Sequence, residues 1–200
     1  MIDEEIAKML RKQRIANKKE EERKQEILEQ ESINEEELLE QILKGHAELQ
    51  GHEFDFKRLD LLENRVSIML PDYPDFVVED DKDMFYNTYS NELGYSCNLV
   101  LLENETQLEP MKVYKERMEK GTKQSGLRYK WQEEGIVLVH GLKIYYLNFL
   151  VNTGLGTVQS CMYYAYTKYG RFTCTMNCEH KDSIYWKPIS KALAQTIIVK

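Results

Sequence analysis

The segment that most constrains the fold is 127–178, where runs of β-branched and aromatic residues alternate with short turns that contain glycine. Strand-length runs separated by such turns are typical of an antiparallel meander. We predict strands at 127–132, 135–140, 143–152, 157–167 and 171–178. The core of the chain is therefore expected to form on one antiparallel sheet.

Further strands are predicted before the meander. The alternation of apolar residues over 66–70 indicates the second strand of a hairpin that begins near Phe54 and turns at 63–64. Another strand is predicted at 95–102. The stretch 72–93 mixes Pro, Asp and aromatic residues without a period, so we predict a loop there.

Three helices are predicted around these strands. The first follows the N-cap Asn34, and the second spans 110–120. The third is expected over 182–195, with a start at 186–187 as the alternative because Pro188 falls late for a first-turn proline. The order of strands and helices predicts an α+β fold in which an antiparallel sheet packs on helices.

Charge is divided unevenly along the chain. Residues 1–52 contain 9 Lys or Arg and 14 Asp or Glu, whereas residues 53–200 contain 18 and 20. We predict that residues 1–50 form a charged extension of two helices, partly flexible, and that residues 51–200 form one α+β domain. The first part of the extension has only a weak apolar stripe, so it is expected to be solvated. A short coiled coil or a partner-binding arm is the alternative.

The composition argues against several classes of function. A formal net charge of −7 disfavours a nucleic-acid partner, because binding to phosphates needs a basic face. No apolar run approaches the ~20 residues that cross a bilayer. The first residues lack the apolar segment of a signal peptide, so a cytoplasmic location is expected. The four cysteines are then expected to stay reduced.

The order of elements over residues 53–200 resembles the PsbP/DcrB-like superfamily. The similarity lies in the hairpin that ends at 67–71, the strand 95–102 with the helix after it, the meander, and the last helix, which opens at Trp186. This superfamily includes bacterial effector-associated secretion chaperones and the Ran-binding import factors of eukaryotes. The resemblance implies an α+β sandwich in which one face of the sheet packs on helices and the other is often open.

Residue types separate the two faces of the predicted sheet. Alternate positions of strands 95–102, 143–152 and 171–178 give one continuously apolar face and one face of Asn, Ser and Thr with scattered Tyr, Leu and Met. An ordinary solvated face is one interpretation. The other is a shallow groove for a partner helix or peptide. The predicted partner-binding residues are the apolar Tyr146, Leu150, Met162 and Tyr164 and the polar Asn98, Asn148, Ser160 and Thr175.

Candidate chemistry is weak elsewhere in the chain. A zinc site could be drawn from three cysteines of the last two strands and the histidine after them, namely Cys161, Cys174, Cys178 and His180. However, Cys174 and Cys178 are about 13 Å apart in an extended strand, and they share a side with core residues. No nucleotide-binding, metalloprotease or serine-hydrolase motif occurs. We predict no catalytic residue, metal or cofactor.

We therefore predict a protein-binding module without enzymatic activity. By resemblance, its role would be that of a cytoplasmic chaperone or adaptor that holds an apolar helix or peptide of a secreted effector on the open sheet face. An immunity protein or regulator that binds a folded toxin domain or a small GTPase is the alternative. A metal- or ligand-dependent enzyme is a third hypothesis. A homodimer is also considered, with the extension as a dimerisation element.

Overall fold

The computed structural model describes residues 33–73, 75–81, 84–105, 107–122, 126–154 and 156–200. It divides the chain into the units Met1–Asn34 and Glu35–Lys200. The helix predicted within residues 1–31 lies outside the described residues. The fold below is that of the second unit.

The described part of this unit contains three α-helices and eleven strands. The helices are α1 (Glu35–Leu43), α2 (Met111–Thr122) and α3 (Ser183–Ala194), and the 3-10 turn His180–Asp182 precedes α3. The strands are β1 (His46–Leu49), β2 (His52–Leu61), β3 (Val66–Pro71), β4 (Val77–Asp81), β5 (Phe85–Ser90), β6 (Tyr95–Leu102), β7 (Arg128–Val139), β8 (Leu142–Asn152), β9 (Thr157–Thr167), β10 (Gly170–Glu179) and β11 (Ile198–Val199).

The strands form two antiparallel sheets. Four strands have the order β1-β2-β3-β11, and seven have the order β4-β5-β6-β10-β9-β8-β7. α3 packs against β3 of the small sheet and against β9 and β10 of the large one. Trp186 of α3 shows this contact directly, since its ring stacks on Tyr95 at 4.1 Å and meets Phe54 edge-on at 5.3 Å. The predicted α+β class is confirmed.

The two faces of the large sheet have different neighbours. The inner face packs toward α3 and is built mostly from buried apolar side chains. These include Tyr95, Cys97, Leu99, Phe172, Cys174, Met176, Cys161 and Tyr163. The outer face is the opposite side, on which α2 lies.

The second unit begins earlier than the sequence predicted. α1 and β1 fall within residues 1–50, yet both belong to the unit that starts at Glu35. Leu38 and Ile42 of α1 are buried, and α1 packs on α3. The helix itself begins directly after the predicted N-cap Asn34. The predicted boundary between the extension and the domain, at residue 50, is therefore too late in the chain. Charge composition alone does not show that a short helix such as α1 packs on an apolar surface.

The meander has four strands rather than five. The predicted strands 127–132 and 135–140 are one strand, β7, and the turn expected between them is a β-bulge at Trp131/Glu133. Gly135 does not form a turn but makes room for a side chain of the neighbouring strand. A Cβ there would lie 2.6 Å from the Tyr146 hydroxyl oxygen, so glycine lets the Tyr146 ring lie over the backbone of β7.

The predicted loop over 72–93 is wrong, because β4 and β5 occupy half of it. Alternate residues of β5 are buried, and two of them, Thr88 and Ser90, are polar. Since the alternation does not separate apolar from polar types, it was not visible as a strand pattern.

The other predicted elements are found close to their expected positions. The hairpin is β2–β3, the strand 95–102 is β6, and the helix 110–120 is α2. α3 begins at Ser183, so the alternative start at 186–187 is wrong. The helix contains Pro188 in its interior, where Ile189 and Leu193 anchor it in the core.

Candidate functional site

Strand register places three rows of side chains across the middle of the outer face of the large sheet. The rows are given from β4 to β7. The first is Asp81, Phe85, Val100, Thr173, Tyr164, Tyr145 and Ile136. The second is Glu79, Asn87, Asn98, Thr175, Met162, Leu147 and Glu134. The third is Val77, Tyr89, Ser96, Asn177, Ser160, Phe149 and Trp131.

One half of this face is covered by α2. Tyr114 of the helix stacks on Tyr164 of β9, with ring centroids 4.7 Å apart and an interplanar angle of 9°. These two rings form a buried cluster with Leu147 and Phe149. Tyr164 is fully buried and burial raises its pKa. We call this part, on β7, β8 and β9, the covered half.

In the other half, the three rows contain no charged side chain where they cross β5, β6 and β10. The nine side chains of β5, β6 and β10 in the three rows are all half-buried. We call them the uncharged grid, and they are Phe85, Asn87, Tyr89, Ser96, Asn98, Val100, Thr173, Thr175 and Asn177. Hydrogen bonds hold its third row in place. Ser160 donates to the Asn177 side-chain oxygen at 2.7 Å, and the Asn177 amide donates to Ser96 at 3.3 Å.

Charged residues border the grid on two sides. On β4, Glu79 and Asp81 are exposed, and the Asn87 amide donates to Glu79 at 3.1 Å. On the side of α2, Arg171 is only 5% exposed and lies 2.7 Å from Glu105. Its guanidinium is 5.0 Å from the centre of the Tyr114 ring, so it marks the boundary with the covered half.

The structure brings together only part of the predicted binding site. Asn98 and Thr175 are opposite one another in the middle row of the uncharged grid. Ser160, Met162 and Tyr164 lie in the next column of the same face. Met162 and Tyr164 lie under α2, where Tyr114 contacts both of them. Tyr164 and Ser160 are buried.

The other three predicted residues point to the inner face. Tyr146, Asn148 and Leu150 of β8 lie opposite Tyr163, Cys161 and Gln159 of β9. Placing them on the open face was wrong. The predicted groove is therefore not a continuous surface.

The polar pair on the inner face of β8 has a structural role. The Tyr146 hydroxyl and the Asn148 amide each donate to the Glu133 carboxylate at 3.3 Å. Burial raises the pKa of Tyr146, and the neighbouring carboxylate adds to this effect. A cavity of only about 20 Å³ remains beside these groups and Lys191, so there is room for a water-sized ligand at most.

Sequence reasoning missed the β5 column of the grid. Phe85, Asn87 and Tyr89 lie in the stretch predicted as a loop. The signal that could have found them is the concentration of aromatic residues and Thr in 85–89, because these residue types are enriched in strands.

The cysteines belong to the core. All four are free and buried, and the sulfurs of Cys97 and Cys174 are 3.8 Å apart. Burial raises the pKa of the Cys161 thiol to about 12. Within the described residues, no group of three or more His, Cys, Asp or Glu side chains is placed to hold a metal ion. These thiols fill the inner face as small apolar groups.

The sheet, its helices and their order define an α+β protein with a PsbP-like fold. The cyanobacterial PsbP (CyanoP) of Synechocystis sp. PCC 6803 aligns with a TM-score of 0.59 and 11% identity, over 72% of this chain and 92% of that one. PA94 of Pseudomonas aeruginosa, a protein of unknown function, has a TM-score of 0.45 and 13% identity, over 74% and 97%. The immunity protein TplEi of the T6SS of the same organism has 0.43 and 8%, over 80% and 55%.

At 11% identity the similarity to CyanoP defines the fold and not the function. No protein-family model matches the sequence, and no curated protein sequence matches it significantly. None of the described helices combines the length and the hydropathy needed to cross a bilayer.

Proposed function

We propose that this chain is a non-enzymatic protein-binding module that contacts its partner through the uncharged grid. One observation carries the proposal, namely that nine half-exposed side chains on three adjacent strands include no charged residue. The core of a protein interface is depleted in charged residues and enriched in aromatic ones. Phe85 and Tyr89 supply the aromatic surface at two corners of the grid.

The grid is suited to hydrogen-bonded contact with a polar surface. Its middle row aligns Asn87, Asn98 and Thr175 across three strands. Amide and hydroxyl groups can donate and accept, so they satisfy either kind of polar group on a partner. β6 and β10 are interior strands of the sheet, and a rigid scaffold lowers the entropic cost of binding.

Charge around the grid favours a basic partner surface. Glu79 and Asp81 of β4 are exposed beside it on the same face, and the chain has a net charge of −7. Complementary charge at the rim of an interface accelerates association and selects the partner. The expected partner is thus a protein with Lys or Arg around a polar centre.

The positions of the predicted apolar anchors support a folded partner rather than an isolated apolar helix. A helix-binding groove needs a row of apolar anchors, and the anchors predicted for it are elsewhere. Tyr146 and Leu150 face inward, and Tyr164 is buried under α2. The regulator or immunity hypothesis, in which a folded domain is bound, is therefore preferred to the chaperone for a secreted effector.

The test is affinity capture with matched variants. The full chain and its double variant Asn98→Arg/Thr175→Arg serve as baits in a lysate of the source cells, and captured proteins are identified by mass spectrometry. The two substituted residues face each other in the grid, so two cations are placed where a basic partner must dock. The captured protein is then purified, and its affinity for each bait is measured by calorimetry.

A control variant of the same chemistry is available. Asn152 and Thr157 also face each other, on β8 and β9 away from the grid, so Asn152→Arg/Thr157→Arg adds the same charge elsewhere. We expect the grid variant to lose the partner, with a Kd raised at least about tenfold, and the control to keep it. Equal capture by the grid variant and by the wild type would refute this binding face.

A further inference from the structure

The large sheet has two edges that differ in their protection. β4 and β7 are its terminal strands, and within the described part of the chain no strand pairs with the outer side of either. An unprotected edge presents unpaired N–H and C=O groups, and charges, bulges or short length normally prevent it from pairing with another chain. β4 is five residues long and carries three exposed acidic residues, Glu79, Asp80 and Asp81.

β7 is protected over only the first part of its length. Residues 128–134 include Lys130, Glu133, Glu134 and the bulge at Trp131/Glu133. The remaining residues, 135–139, have no charge and no bulge. On the outer face of this end, Ile136 is 56% exposed and Leu138 is 71% exposed.

This unprotected end of β7, residues 135–139, is self-complementary. In an antiparallel pair with a two-fold axis at Val137, Ile136 lies opposite Leu138 of the second copy, and the same apolar pair occurs twice. Glu134 then falls opposite His140, which lies outside β7 in the turn that follows it. If the axis moved by one residue to Ile136, Glu134 would instead face Leu138.

We propose that residues 135–139 of β7 pair with the same residues of a second copy of this chain, with Val137 opposite Val137. A second copy is favoured over a different partner because the same segment supplies both residues of each Ile136–Leu138 pair. Two β4 edges brought together would instead oppose three carboxylates with three.

The proposed dimer has a defined geometry. A two-fold axis perpendicular to the sheet joins two seven-stranded sheets into one, with equivalent faces on the same side. The uncharged grids of both copies then lie on one side of the assembly, at opposite ends. This inference does not depend on the function proposed for the grid.

The test is sedimentation velocity of the full chain over a wide concentration range. We expect a reversible monomer–dimer equilibrium for the wild type. In Ile136→Lys/Leu138→Lys, like charges face each other twice, and the dimer Kd should rise at least about tenfold. In Ile136→Lys/Leu138→Glu, each lysine faces a glutamate of the second copy, so the dimer should return.

The control is Val77→Lys/Val78→Lys, which places the same two charges at valines that are 45% and 52% exposed on the opposite edge. It should dimerise like the wild type. Circular dichroism and thermal unfolding show whether each variant is folded, and the exposure of the substituted residues predicts that all are. A wild type that stays monomeric at every soluble concentration, or a dimer that the two lysines leave intact, would overturn the proposal.

Discussion

The covered half and the uncharged grid are parts of one sheet face, yet they have opposite characters. In the covered half, Tyr114 of α2 stacks on Tyr164 and closes a buried aromatic cluster. In the grid, the same rows continue as Asn, Ser, Thr, one Val and two aromatic residues, all of which remain half-exposed. The difference shows that a sheet face becomes core where a helix with apolar side chains lies on it, and not through strand alternation alone.

The two regions should differ in how much their side chains contribute to the free energy of unfolding. The covered half should contribute mainly to stability, because it removes large aromatic side chains from water. The grid should contribute little to stability, because its side chains are partly hydrated already. Arg171 and Glu105 lie between the two, so their effect should be intermediate.

The largest effect is expected for Tyr164→Ala. This side chain is fully buried and stacks on both Tyr114 and Tyr145. Its removal leaves a cavity, so the free energy of unfolding should fall by about 3–5 kcal/mol. Urea unfolding followed by circular dichroism measures this change.

The matched control is Tyr89→Ala, at a corner of the grid. Its half-exposed ring should cost roughly 1 kcal/mol or less. If both variants lost the same stability, the grid would be part of the core and could not serve as a binding face.

An intermediate effect is expected for Glu105→Gln. Arg171 is buried, and the neutral amide would leave its charge without the carboxylate 2.7 Å away. The free energy of unfolding should fall by roughly 1–3 kcal/mol. Glu40→Gln breaks an exposed pair with Lys44 on α1 and should cost at most about 0.5 kcal/mol. Equal losses in the two variants would show that Arg171 does not depend on Glu105.

The smallest effect on stability should come from Thr175→Cys, which tests accessibility. Reaction with a disulfide reagent needs an accessible thiolate. The new thiol on the grid should react near pH 8, close to the ordinary pKa of about 8.5. The four native cysteines are buried, and burial raises the pKa of Cys161 to about 12.

Reaction of the native cysteines should therefore be negligible in the folded protein at pH 8 and should become complete only on unfolding. The wild type is the control for the variant. A fifth thiol that reacted no faster than the native four would show that the grid is closed to solvent.

Much of the fold followed from the sequence because its signals were local. The N-cap Asn34 predicted the start of α1, and the apolar alternation of β3 and of β6 predicted strands that the structure has at those positions. The bulge in β7 and the strand β5 were missed because the residues there are explained by contacts with other strands and by burial, which a local pattern does not show. Gly135 serves a cross-strand contact with Tyr146, and β5 buries Thr88 and Ser90.

The candidate site was harder to predict because β8 is buried on both sides. Residues 147–150 are all buried, since α2 lies over the outer face and α3 over the inner one. A two-residue period in such a strand gives two nearly equivalent apolar sides, and nothing local decides which is which. Asn98 and Thr175 were assigned to the outer face correctly because the inner positions of β6 and β10 are almost all apolar and buried.

The placement of the two tryptophans gives each layer of the protein its own optical reporter. Trp186 is buried between the two sheets against Tyr95, whereas Trp131 packs on Phe149 and donates to Glu119 at the end of α2. Emission from a Trp131→Phe protein reports only the contact between the sheets. Emission from a Trp186→Phe protein reports only the seating of α2 on the outer face. A shift of the emission maximum in the Trp186→Phe protein thus indicates loosening of α2, and a shift in the Trp131→Phe protein indicates separation of the two sheets.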